Sequence, residues 1–230
     1  NVFAVGRRGL EALIAKYGED TLRECIREML DRSETEMRSY IAEIPDGSYR
    51  IEDWFDNDGV DDKALEVVLT ITVSGSDLHF DFTGTAPAAR GPMNISDSTT
   101  MSMCLVALKH IFPEVPVNGG AFRPARFTIP RPSILAAAYP VPVGGTTDVT
   151  QRVVDVVFGA LAQAIPDQVP AAPFGTTGVA TVSGRHPNTG NYYVAVYPYP
   201  GGYGASSVSD GLVNGTPPGS MAKFMSVEMS

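Results

Sequence analysis

The hydrophobic period of this chain first changes, from helical to strand-like, at Pro45-Asp46-Gly47, and that break limits the folds open to it. Before the break, apolar residues recur at helical spacing: Val2, Val5, Leu10, Leu13 and Ile14, then Leu22, Ile26, Met29, Leu30, Met37 and Ile41. After it, Ser48–Phe55, Ala64–Val73 and Leu78–Phe82 carry the β-branched, two-residue pattern of strands. Gly18 suits the residue that closes a first helix, and Asp20 suits the cap of a second, which runs to about Ala42. The spacing therefore predicts an αα-hairpin over 1–45 and, across turns at 56–59 and 74–77, an antiparallel meander of three strands over 48–82. A further helix is expected from Asn94–Ser98 to about Phe112, stopped by Pro113 and Pro116. Another is expected to about Ile165, capped by Asp148 or Thr150. From 174 onward the chain is glycine-rich and β-like, with Pro187-Asn188-Thr189-Gly190 joining Val179–Ser183 to Tyr192–Tyr197. Helices mixed with antiparallel strands imply an α+β fold, with the hairpin at 1–45 and a mixed core at 46–230.

Composition matters chiefly for what it excludes. A net charge of −9 repels phosphate backbones, so nucleic acid is not an expected partner. No apolar run approaches the roughly 20 residues that span a bilayer, so no membrane is expected. Cys25 and Cys104 lie far apart in helical patterns, which suits a reducing, cytoplasmic setting rather than a disulfide framework. There is no P-loop, no H-E-x-x-H, no C-x-x-C and no G-x-S-x-G, and His79, His110 and His186 have no ligand-like spacing.

Four motifs place polar groups beside glycines. Asp81-Phe82-Thr83-Gly84-Thr85 ends a strand, and Gly91-Pro92-Met93-Asn94 follows it. Val117-Asn118-Gly119-Gly120 can form a tight turn or a nest of backbone N–H groups. Gly144-Gly145-Thr146-Thr147-Asp148-Val149-Thr150-Gln151-Arg152 opens a helix, where backbone N–H groups favour anions. Gly201-Gly202-Tyr203-Gly204-Ala205, with Asp210-Gly211, lets backbones or a ligand approach closely. Each motif also has an ordinary reading as a turn, cap or bulge.

The order of these motifs, with Tyr139-Pro140-Val141-Pro142-Val143 and a closing Val227-Glu228, resembles the hydantoinase B/oxoprolinase family over essentially the whole chain. The chain matches the middle of the family's subunit, and we read its ends as those of a piece of a longer polypeptide. The resemblance implies a B-type subunit that completes hydrolysis of a cyclic amide, a small-molecule substrate activated by phosphorylation in an actin-like, ATP-binding A-type partner, within a hetero-oligomer. A ketone carboxylase of the same family and a non-catalytic assembly domain are the alternatives, with an unrelated ligand-binding module behind them. ATP is assigned to the partner. The family's divalent metal is assigned to a segment preceding this region, so no metal ligand is placed on these residues. The expected catalytic residues are Asp81, Asn94 and Asn118. The expected substrate-binding residues are Asp148, Arg152, Gly202 and Asp210.

Overall fold

The computed structural model describes residues 2–176, 178–199 and 201–213. Two helices come first, α1 (Val2–Tyr17) and α2 (Glu19–Ile41), and they form the expected hairpin. The break is at Gly18, whose N–H donates to the Ile14 carbonyl at 2.9 Å. Gly18 also occupies the cap position of α2, with no side-chain cap, so Asp20 falls inside the first turn rather than before it. The charged face of α2 is stitched by ion pairs at i,i+3 and i,i+4, among them Arg23–Glu19, Arg32–Glu28 and Arg38–Glu34. The apolar stripe of the hairpin is not all core. Met37 and Ile41 are buried, but Ile26 and Met29 are exposed and α1 buries no residue.

Strands β1 (Gly47–Phe55), β2 (Leu65–Ser74) and β3 (Asp77–Asp81) form the meander, with Ile51 opposite Leu69 and Ile71 opposite Phe80. A fourth strand, β4 (Ala125–Thr128), joins β3 in parallel, a pairing that the local pattern does not announce. Four residues carry too little alternation to declare a partner. A parallel neighbour also requires a long crossover, here containing α3 (Asp97–Ile111). Helix α3 starts within the expected window: Ser96 is the cap, and its hydroxyl accepts the Thr99 N–H at 3.2 Å.

The core lies between one face of this sheet and the helices. Val67, Leu69, Ile71 and Val73 of β2 and Leu78 and Phe80 of β3 supply the sheet side. Helix α4 (Thr146–Leu161) lies against β1, β2 and α3 and is buried almost all round, through Val149, Val153, Val154, Val156, Val157, Phe158 and Leu161. Valine is a mediocre helix former. Each such side chain buried contributes about 1.5–3 kcal/mol, which outweighs the propensity loss. Neither Asp148 nor Thr150 caps α4; Gly145 does, and both lie in its first turns. A short 3-10 turn (Pro166–Gln168) follows, then the hairpin of β5 (Gly178–Arg185) and β6 (Tyr192–Tyr199), as the sequence suggested. The remaining described residues, 201–213, add no further strand pair to a sheet, and the expected β structure at 214–230 lies outside the described residues. Among the described residues no helix is long and apolar enough to cross a membrane.

Candidate functional site: a cleft at the first turn of α4

Two of the four motifs meet. The Gly145 N–H donates to the Pro92 carbonyl at 2.9 Å, so that glycine's N–H serves the loop contact rather than a ligand. Asn94, fully buried, ties the same two segments together. Its Nδ2 donates to the carbonyls of Ala89, Gly91 and Pro142 at 2.9–3.1 Å, and its Oδ1 accepts the Ala89 N–H at 2.8 Å. A third segment locks in from the turn after β1. Asp58, nearly buried, accepts N–H groups from Val60, Asp61 and Gly91 at 2.6–2.8 Å. These backbone donors hold its carboxyl down to about 2. Gly91 is required there, because a Cβ would lie 2.0 Å from the Asp58 carbonyl oxygen.

Around this knot opens a cleft of about 310 Å³. Its walls are Trp54–Asn57 at the end of β1, Met93, Asp148 and Arg152 of α4, and Gly175-Thr176. Arg152 is the centre of charge. Its Nη1 donates to Asp53 Oδ2 at 2.5 Å, and the guanidinium lies 5.4 Å from the centre of the Phe55 ring. Its other terminal nitrogen, Nη2, approaches Gly175 on the opposite wall. Register explains why Asp53 is available: it pairs with Val67, as Ile51 pairs with Leu69, so it stands on the core face of β1 and requires a cationic neighbour.

Residues 148, 152, 155 and 159 repeat at i+4, i+3, i+4 and so form one face of α4. That face runs along β1, where Arg152 meets Asp53 and Gly159 meets Ile51. At its inner part lies Asp155, only 7% exposed. Both its carboxylate oxygens lack a hydrogen-bond partner among the described residues, as does Arg152 Nε. Burial pushes the Asp155 carboxyl up to about 6; Arg152 opposes the rise and Asp53 adds to it. Neither Asp53 nor Asp155 is among the residues expected from the motifs. Each has a visible signal, an acid in the alternating column Tyr49, Ile51, Asp53, Phe55 and a lone acid within Val153–Leu161.

The other expected residues do not line this cleft. Asp81 accepts the Thr83 N–H at 2.9 Å, in the turn that ends β3. Asn118 belongs to the α2 side of the molecule. Its Nδ2 donates to Ser33 Oγ at 2.7 Å and its Oδ1 accepts the Gly120 and Ala121 N–H groups. The Gly202 carbonyl accepts the Phe174 N–H at 3.0 Å and so braces the segment leading to Gly175-Thr176. Asp210 is exposed on the same 201–213 stretch. Of the seven, Asp148 and Arg152 line the cleft, Asn94 frames it from behind and Gly202 supports one wall.

Among the described residues, no three His, Cys, Asp or Glu side chains converge as a set that could hold a metal ion. His79 contacts the Thr128 hydroxyl, His110 the Val106 carbonyl, and His186 the Asn188 N–H.

Comparison with known proteins is consistent across sequence and structure. The family model of hydantoinase B/oxoprolinase matches residues 2–230. A protein named as the B-type subunit of a D-/L-hydantoinase, from Pseudomonas sp. (strain NS671), is 31% identical over 90% of this chain and 37% of its own length. The crystal structure of ATP-dependent caprolactamase from Pseudomonas jessenii superposes with a TM-score of 0.83 at 26% identity, over 94% of this chain and 38% of that one. The nucleotide-free structure of acetone carboxylase gives 0.77 at 15% identity over 94% and 32%, which shows a shared fold. The chain thus spans little more than a third of the length of such relatives.

Proposed function

The chain belongs to the hydantoinase B/oxoprolinase family, and from that membership we propose that it forms the middle of a B-type subunit of an ATP-dependent cyclic amide hydrolase. The observation that carries this reading is the full-length family match, together with the meeting of the Gly91–Asn94 and Gly144–Arg152 motifs at one cleft. Hydrolase is favoured over carboxylase because relatives above 25% identity are named for hydantoin and caprolactam, whereas the carboxylase likeness, at 15%, concerns the fold.

An amide resists water until its carbonyl oxygen is converted into a leaving group. Phosphorylation in an actin-like, ATP-binding partner subunit does this and makes the substrate anionic. Arg152 then holds the anion through its Nη2 side while Nη1 stays on Asp53. The planar fork can serve both because its donors point in fixed, separate directions. Asp148 shapes the same wall. The unpaired cysteines, Cys25 exposed and Cys104 buried, support a reducing, cytoplasmic setting.

The test is the full-length subunit with its ATP-binding partner, assayed for ATP-linked ring opening of hydantoin, 5-oxoproline and caprolactam. Arg152→Gln is expected to lower kcat/KM by about ten- to hundredfold, the scale of one charge-assisted hydrogen bond. Unchanged turnover in that variant, or ring opening that needs no ATP, would refute the reading.

A further inference from the structure

Arg152 faces two carboxyl groups, not one. Asp53 holds it by a direct ion pair, while Asp155, one helical turn along on the same face of α4, is buried with both oxygens unpartnered among the described residues, as is Arg152 Nε. The elements packed against α4 bring few charges toward Asp155. Strand β1 brings Asp53; β2 brings Val67, Leu69 and Ile71, which carry none. Helix α3 brings Lys109, whose ammonium is bound to the Phe112 and Pro113 carbonyls, and His110, whose ring abuts Phe158. On α4 itself stand Asp148 and Arg152. Arg152 and Asp53 are the charges that act on Asp155.

We propose that Asp155 is a positioning residue for Arg152: a carboxyl group buried behind the guanidinium whose charge decides how strongly the cleft holds an anionic ligand. This rests on the reading of Arg152 as the anion-binding group. When Asp155 is ionised, the trio Asp53, Arg152 and Asp155 carries one net negative charge, and an incoming anion is repelled. When Asp155 holds a proton, the trio is neutral, and Arg152 can share its positive end with a ligand. Burial without a hydrogen-bond donor favours the protonated form. The two states therefore exchange at mildly acidic pH, with the carboxyl pushed up to about 6. An anion that binds Arg152 must, by reciprocity, draw a proton onto Asp155.

Sulfate is the probe, because it keeps two negative charges throughout this range. Calorimetry on the full-length protein is expected to show sulfate binding about tenfold tighter at pH 5 than at pH 7.5, the scale of one charge lost nearby at protein-like dielectric. Asp155→Asn should bind at pH 7.5 as the wild type does at pH 5, with little pH dependence left, and Arg152→Gln should not bind. If Asp155→Asn keeps the wild-type pH dependence while Arg152→Gln abolishes binding, Asp155 has no such role and the cleft reading survives. If Arg152→Gln binds normally, or the wild type binds no sulfate, the cleft reading fails and this inference with it. An infrared titration of the wild-type carboxyl band needs no variant to fold: saturating sulfate must move the Asp155 midpoint upward, and an unmoved midpoint overturns the proposal.

Discussion

The amide of Asn94 shows how much one buried polar side chain can hold. Its nitrogen serves three carbonyls from two segments, and its oxygen takes an N–H from one of them. Asn94→Ala leaves these groups unsatisfied and is expected to cost about 2–4 kcal/mol in urea denaturation. Asn94→Asp should be worse than alanine, since a carboxylate would face the same carbonyls with no donor. At Asp155 the expectation is reversed. The folded protein keeps its proton up to about pH 6, whereas the ordinary value for the group is 3.8. The folded state therefore binds more protons across that window, and stability falls as pH rises through it. Relative to Asp155→Asn, the wild type should lose up to about 3 kcal/mol between pH 4 and pH 7, read from melting curves at each pH.

Elements are joined here by close backbone approaches more than by surface charge. The loop at 118–123 presses on α2 so tightly that a Cβ on Gly120 would sit 1.9 Å from the Leu30 carbonyl oxygen. Gly120→Ala must push the loop away and should cost about 2–4 kcal/mol. Arg123 bonds Asp31 and Glu34 across the same contact, but all three remain partly open to water. Arg123→Ala is expected to leave the urea midpoint almost unchanged, with the small difference shrinking further in molar salt. Helix α1 buries no residue, and helices of its length are marginal alone. Hydrogen exchange in this 230-residue chain should strip protection from α1 well before α4, whose residues are buried on nearly every side.

For the whole molecule, the superposition on caprolactamase over 94% of the chain sets the cleft within a family fold. The cleft draws on the end of β1, the 91–94 loop, the start of α4 and the 175–176 corner, segments spread over more than half of the chain. Such a site is only as rigid as its supports. Gly91→Ala, placed against the Asp58 backbone, is expected to disturb three of these segments together. It should reduce both sulfate binding and stability, whereas Arg152→Gln should reduce binding with a smaller effect on melting.

Period, turn chemistry and motif order were enough to specify the hairpin, the meander, α4 and the β5–β6 pair, because each is set by neighbours within a few residues. The family was legible for the same reason: its motifs are local. The parallel partner of β3, the openness of α1 and the separation of Asp81 and Asn118 from the cleft were decided by tertiary packing. Local pattern states which face a residue occupies, but not which distant element meets that face. Asp53 and Asp155 stood in the sequence as acids out of place among apolar residues. Only the meeting of β1 and α4 determined that one is neutralised by Arg152 and the other left unpartnered among the described residues, since ionisation depends on what surrounds a group in space rather than on what adjoins it in the chain.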